Sequence, residues 1–315
     1  MLLEVQNLTV EYDLGKNKIR AVNDVSFNVE KGEVLGIIGE SGSGKTTIAS
    51  SIIRAIKPPG KIVSGRILFE GKDLLKMSED EFRKVRWKEI SYVPQASQNA
   101  LNPVLTVYKN FYYIWISHTD RGEDELRERA SDLLRLVGLD PKRVLKMYPF
   151  QLSGGMKQRV MIALSLLLDP KLIIMDEPTS ALDMLNQQLI LKLIKEINND
   201  KHVSIIFVTH DILTVAQVAN RLLVLYKGYV MEEGSTEKIL KEPLNPYTSL
   251  LINSIPPLKG EIKPVIIPEE KEGNERGCPF LSRCPKAIPR CESLPSLFVK
   301  DGRKVRCWLY APNGA

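Results

Sequence analysis

Cysteine is missing from the first 277 residues of this 315-residue chain, and all four cysteines fall between Cys278 and Cys307. Disulfides therefore cannot staple the body of the protein, and the tail carries chemistry of its own. Long apolar runs are missing too. The longest, residues 160–168, has the length of a core helix and not the roughly 18 apolar residues that span a bilayer. The N-terminus, with Glu4 and Glu11 and no basic region, does not read as a signal peptide. A soluble intracellular protein is the expectation. Clustered charge of one sign is also absent. The net charge is +6 and the pI about 9.0, but Lys and Arg are spread along the chain. The densest charged stretch, 79–88, mixes both signs as solvated helix faces do, so no nucleic-acid partner is expected. No internal repeat occurs. The 43% hydrophobic and 26% charged content are those of a globular protein, long enough for a core domain plus an addition.

What is present is a succession of short strands and helices. Residues 2–12 and 22–29 alternate as strands do, Lys31-Gly32-Glu33 makes a turn, and 34–38 is a wholly apolar run suited to a buried strand. A glycine-rich loop, 39–44, follows, then a helix over 46–56 that ends before Pro58-Pro59-Gly60. Residues 91–165 have few strand signals, and Leu126, Ala130, Leu133, Leu134 and Val137 share one helical face. This predicts a helical subdomain inserted into an α/β core. Strands return at 172–175 and 203–208 around a helix at 186–197, and 222–226 with 229–232 read as a hairpin about Lys227-Gly228. The alternation predicts a parallel sheet with helices on both faces. Prolines at 243, 246, 256, 257, 264 and 268 mark a change of composition, with 256–276 read as an extended linker.

The segment Gly39-Glu40-Ser41-Gly42-Ser43-Gly44-Lys45-Thr46 fits the P-loop pattern in full, between a strand and a helix. Its glycines let the backbone approach phosphates, and its N–H groups favour anions. Gly39, Ser41, Gly42, Ser43, Gly44, Lys45, Thr46 and Thr47 are the candidate nucleotide-binding residues. Lys45 is placed to reach the β- and γ-phosphates of a nucleotide, and Thr46 to bind Mg²⁺. Downstream, an apolar strand ends on Asp176-Glu177. An acidic pair after a strand is more often a turn or a cap. After a P-loop, at the carboxyl end of a strand, Asp176 suits Mg²⁺ and Glu177 the attacking water. These motifs define a P-loop NTPase, a class that also holds kinases, GTPases and helicases.

Leu152-Ser153-Gly154-Gly155-Met156-Lys157-Gln158 stands at the start of a helix expected over 156–168. A serine-capped helix with a glycine approach accounts for it structurally. Ser153 and the N–H groups beside it also form a phosphate-binding surface. The segment resembles the ABC signature, and with the other motifs in order the chain resembles the ABC ATPases over about residues 1–250. The resemblance implies a RecA-like P-loop core with an antiparallel β subdomain and a helical subdomain, residues 1–240, and a small extension, 241–315. It implies that Gln95 touches Mg²⁺ and the lytic water, that Ser180 to Asp183 lie across a dimer interface, that His210 contacts the γ-phosphate and that Tyr12 stacks on adenine. Two cassettes would pair head to tail, with ATP between one P-loop and the other chain's Ser153, Gly154 and Gly155.

Residues 101–106, 148–160 and Asn245-Pro246-Tyr247-Thr248 with Leu250-Leu251 resemble the oligopeptide/dipeptide importer ATPases. After Gln95 the chain has Ala96-Ser97-Gln98-Asn99-Ala100 where that family often has an acidic residue and a proline. The resemblance implies ATP hydrolysis driving uptake of di- or oligopeptides, or of the oligosaccharides or nickel that some members carry. It also implies a second, paralogous ATPase subunit, two membrane permease subunits, an extracytoplasmic substrate-binding protein and a place on the cytoplasmic face of the membrane. The alternative is an ABC ATPase acting on nucleic acid or the ribosome. Such proteins usually carry a long coiled-coil insertion or two cassettes in one chain, and neither is present.

Cys278, Cys284, Cys291 and Cys307 form no C-x-x-C pair, so they do not make a usual zinc ribbon. Four thiolates on a proline-stiffened segment suit a [4Fe–4S] cluster, and the spacing resembles the cluster-binding tail of dipeptide-type ABC ATPases. Zinc, or no metal, are the alternatives.

Overall fold

The structure is a computed structural model that describes residues 1–15, 17–95, 99–180, 182–254 and 277–312. The chain opens with β1 (Leu3–Asp13) and β2 (Lys18–Val29), an antiparallel pair, and passes through β3 (Val34–Ile38) into α1 (Lys45–Ile52). Then come β4 (Gly60–Phe69), β5 (Lys72–Asp73), α2 (Glu79–Val85) and β6 (Ile90–Val93). A run of helices follows: α3 (Val107–His118), α4 (Glu123–Leu136), α5 (Pro141–Val144) and α6 (Gly154–Ser165). The chain continues as β7 (Leu172–Asp176), α7 (Met184–Lys201), β8 (Ser204–Thr209), α8 (Ile212–Ala216), β9 (Arg221–Tyr226) and β10 (Tyr229–Ser235). It ends with α9 (Thr236–Lys241), α10 (Pro246–Asn253), β11 (Phe298–Lys300) and β12 (Arg303–Val305).

Two sheets result. One is antiparallel, ordered β2-β1-β4-β5; the other is ordered β11-β12-β10-β9-β3-β8-β7-β6. The second is parallel from β9 through β6 and antiparallel beyond β9. Every residue of β3, β7 and β8 is buried, as central parallel strands covered on both faces require. Alternate side chains point to different cores. Leu35, Ile37, Ile174, Ile206 and Val208 pack with α1 and the antiparallel sheet. Val34, Ile38, Ile173, Met175, Ile205 and Phe207 pack with the helices. The core sheet is thus covered by helices on one face and by α1 with a second sheet on the other, where helices on both faces are the expectation from strand and helix alternation alone.

The helical region matches its pattern. Leu126, Ala130, Leu133 and Leu134 of α4 are buried, and the Arg121–Glu125 and Arg127–Glu123 pairs are exposed. It opens, however, on a strand, because Ile90–Val93 pairs with β7 and joins the core sheet. α1 stops at Ile52, short of 56; Arg54 takes a positive φ, and its guanidinium donates to the carbonyls of Met77 at 2.8 Å and Leu74 at 3.4 Å. β4 is not apparent in the sequence because Gly65 interrupts it. Its φ is +108°, and an added Cβ would stand 2.6 Å from Leu8 Cα, so the close approach to β1 needs glycine.

The C-terminal segment is knit into the core. β12 pairs with β10, and the fully buried Glu232 carboxylate accepts the N–H groups of Leu244 at 3.0 Å and Asn245 at 2.9 Å. The Asn245 side-chain amide donates to the carbonyls of Met231 and Arg306. The expected linker at 256–276 and the loop residues 96–98 lie outside the described residues. Among the described residues, no helix is long and apolar enough to cross a membrane.

Candidate nucleotide site

The phosphate loop begins where β3 ends. At Gly39 a Cβ would lie 2.2 Å from the Leu225 carbonyl oxygen and 2.6 Å from Ser43 Oγ, so only glycine fits. Among the described residues no side chain caps α1, which leaves the N–H groups of its first turn for an anion. Lys45 is 5% exposed, and its ammonium donates to the carbonyls of Gly39 at 2.8 Å and Glu40 at 2.9 Å. Burial lowers its pKa from the ordinary value, against the opposing pull of Glu177, Asp176 and Glu40.

Asp176, the last residue of β7, is fully buried. It accepts the Thr46 hydroxyl at 3.2 Å and the Tyr92 hydroxyl at 3.1 Å. Burial raises its pKa, helped by Glu177 and opposed by the two hydroxyls and Lys45. Tyr92, on β6, is itself pushed up by burial and by Asp176. Its part in the site is missed by sequence reasoning; the available signal is a tyrosine on a short apolar strand just before Pro94-Gln95.

Glu177 follows with φ +48°, an uncommon backbone for a non-glycine residue, held by its N–H to the Val208 carbonyl at 2.9 Å. One carboxylate oxygen stands 3.0 Å from His210 Nδ1; the other accepts Gln95 Nε2 at 3.1 Å. These three residues leave the carboxyl ends of β6, β7 and β8, neighbours in the sheet, where open α/β folds bind ligands. A cavity of about 250 Å³ lies there, lined by Ala21, residues 41–47, Gln95 and Glu177. A carboxylate held between an amide and an imidazole can orient and polarise a water beside a phosphate bound on the loop.

The other expected residues stand elsewhere. Tyr12 is half-buried on β1 opposite Ile19 and Gly60. Ser153 caps α6 through the Met156 N–H at 3.3 Å, and Asp183 caps α7 through the Asn186 N–H at 2.9 Å. At Gly155 a Cβ would stand 2.7 Å from Asn186 Oδ1. Gly155 and Asp183 thus both meet Asn186, and none of Ser153, Gly154, Gly155 and Asp183 lines the cavity of their own chain among the described residues.

All four cysteines are free; Cys291 and Cys307 are buried, Cys278 and Cys284 half-buried. At Cys278, Cys284 and Cys307 the backbone N–H groups of Phe280, Lys286 and Leu309 pull the thiol pKa down, by less than burial raises it. Burial pushes these thiols up, Cys278 to about 11, with a smaller push from the neighbouring cysteines. Among the described residues no three His, Cys, Asp or Glu side chains are grouped as a metal ion requires, so the geometry does not support the expected metal site.

Comparison with known proteins places the whole chain. The family model described as ABC transporter matches residues 22–180, and the one described as oligopeptide/dipeptide transporter, C-terminal region, matches 231–291. The dipeptide transport ATP-binding protein DppD of Caldanaerobacter subterraneus is 44% identical over 98% of this chain and 97% of its own. The oligopeptide transport ATP-binding protein AppD of Bacillus subtilis is 42% identical over 100% of this chain and 98% of its own. The dimeric structure of MJ0796, a bacterial ABC transporter cassette, gives a TM-score of 0.67 at 32% identity, over 75% of this chain and 99% of that one. The chain belongs to the ABC transporter family and is an ATPase of the cassette fold. Within the family it stands, along its full length, with the oligopeptide/dipeptide branch.

Proposed function

We propose that the chain is the ATP-hydrolysing subunit of an ABC importer for di- and oligopeptides. The observation that carries this reading is the similarity to dipeptide and oligopeptide transport ATP-binding proteins over 98% or more of the chain. The nucleotide's phosphates lie along residues 39–47, and Lys45 exchanges the carbonyls of Gly39 and Glu40 for the β- and γ-phosphates. Thr46, Asp176 and Gln95 offer the oxygen donors that suit Mg²⁺, which neutralises charge on the β–γ phosphate oxygens. Glu177 orients the attacking water and takes up its proton, Gln95 steadies that carboxylate, His210 contacts the γ-phosphate and Tyr12 meets the adenine.

Ser153, Gly154, Gly155 and Asp183 lie away from their own chain's cavity, which supports their serving the ATP of a second cassette in a head-to-tail pair. That partner is a paralogous subunit. Two membrane permease subunits and an extracytoplasmic substrate-binding protein complete the assembly, with this chain peripheral on the cytoplasmic face.

The deciding measurement is ATP hydrolysis by the reconstituted transporter, titrated with binding protein loaded with short peptides or with oligosaccharides. Stimulation by the peptide-loaded protein is expected. Stimulation by oligosaccharide alone reassigns the cargo, and stimulation by neither overturns the importer reading. Salt-sensitive stimulation by nucleic acid would favour the non-transport alternative.

For the cysteines the reading is a [4Fe–4S] cluster, with zinc as the alternative. Four free cysteines within one short, proline-rich segment support it. Zinc needs four ligands converging at about 2.3 Å from one point. Protein prepared without oxygen should show a broad absorption band near roughly 400 nm and about four iron and four sulfide per chain. Zinc alone in the purified chain would sink the cluster.

A further inference from the structure

The cysteine-bearing segment reaches back to the phosphate loop and meets it at Glu40. The Tyr247 hydroxyl, on α10, accepts the Glu40 N–H at 3.0 Å. Arg283, in a single 3-10 turn between Cys278 and Cys284, grips the Glu40 carboxylate with both terminal nitrogens, Nη1 to Oε2 at 2.9 Å and Nη2 to Oε1 at 3.0 Å. Nη1 also donates to the Tyr226 hydroxyl at 3.2 Å. Behind the guanidinium, Tyr226, Tyr247 and Phe280 pack together with ring centroids 4.5, 5.5 and 5.3 Å apart. The guanidinium carbon lies 5.7 Å from the centroids of both Tyr226 and Phe280.

The Arg283 side chain is only 8% exposed, so the ion pair is shielded on its side from water. The Glu40 carbonyl, for its part, accepts the Lys45 ammonium and the Ser43 N–H. Glu40 is therefore held at every polar group. The C-terminal segment holds its N–H and carboxylate, and the loop's own Lys45 and Ser43 hold its carbonyl. A two-bond fork fixes orientation as well as place, which a point charge does not. A loop held this way keeps its N–H groups aimed before the nucleotide arrives, and binding then has less ordering to do.

We propose that Arg283 is a positioning residue for the phosphate loop, joining the cysteine-bearing segment to the ATP site through Glu40. This rests on reading residues 39–47 as the phosphate site, and the controls separate the two claims. The full chain is compared with Arg283→Met, Arg283→Lys, Glu40→Gln and the double variant Arg283→Met/Glu40→Gln, by calorimetric titration with Mg-ATP and by thermal melting. Arg283→Met and Glu40→Gln should each weaken ATP binding about tenfold, the scale of one charged hydrogen bond. The double variant should bind no more weakly than either single one, since both remove the same link. Lysine at 283 should restore part of the affinity.

ATP affinity within twofold of the parent in Glu40→Gln overturns the proposal, as do losses that simply add in the double variant. If Arg283→Met melts the segment, Glu40→Gln decides alone, because it leaves the segment's own residues untouched. Lys45→Ala is the control for the site: if it too binds ATP normally, the phosphate-loop reading has failed, and not only the role of Arg283.

Discussion

Glutamine in place of Glu177 should stop ATP turnover while ATP still binds. The change keeps size and shape and removes the negative charge and the capacity to take a proton. The amide can still meet Gln95 and His210, which stand 3.1 and 3.0 Å from the carboxylate oxygens. The positive φ at 177 is no harder for glutamine than for glutamate, so the turn after β7 should survive. Loss of a general base costs typically about 10²–10⁴-fold in rate. The measurement is phosphate release by the reconstituted transporter beside equilibrium binding of Mg-ATP. A rate within tenfold of the parent would mean that Glu177 does not act on the water, and another group would have to be found in the cavity.

Leucine in place of Arg221 should lower the stability of the free chain by about 3–5 kcal/mol, the range for breaking a buried ion pair from one side. Arg221 opens β9 and reaches three parts of the molecule. Nε and Nη2 meet the Glu33 carboxylate at 2.7 and 3.1 Å, Nη2 also meets the Asn28 carbonyl at 2.5 Å, and Nη1 meets Glu233. Glu33 is 12% exposed and Glu233 5%, so leucine would leave two carboxylates out of water with one partner fewer. Lys304 still reaches Glu233 at 2.9 Å, which puts most of the loss on Glu33. At about 2–4 °C per kcal/mol for a domain of this order, the melting midpoint should fall by roughly 6–20 °C. Adding Glu33→Gln to the leucine variant should recover part of the fall, because it removes the stranded charge. A fall under about 3 °C would mean that water reaches these carboxylates and that the network contributes little.

The strands that carry the site are legible in the sequence because of how they are buried. β3, β7 and β8 are covered on both faces, so their residues read as uninterrupted apolar runs. The phosphate loop is legible for a related reason: its glycines answer to local backbone needs, such as the 2.2 Å approach at Gly39. β11 and β12 are different. They have three residues each; β12 is a strand by pairing with β10, and β11 by pairing with β12, facts absent from their own composition. Tyr92 reaches Asp176 because of the register between β6 and β7, which no local pattern states. Glu40 and Arg283 are 243 positions apart, and their fork depends on the fold as a whole. Ser153 and Asp183 show the converse. The motif names them clearly, yet within one chain each is seen only as a helix cap.

The placement of β12 has a consequence for how the protein is made. β10 is complete at Ser235, but the strand that covers its outer edge ends at Val305, about 70 residues later. At ribosomal speeds of about 5–20 residues per second, several seconds pass between the two. During that time the nascent sheet carries an open hydrogen-bonding edge of the kind that recruits strands from other chains. β12, and β11 beyond it, are therefore paired only after that interval. Chains truncated after α10 should therefore be caught by chaperones or aggregate, even though every residue of the phosphate loop has long since been translated.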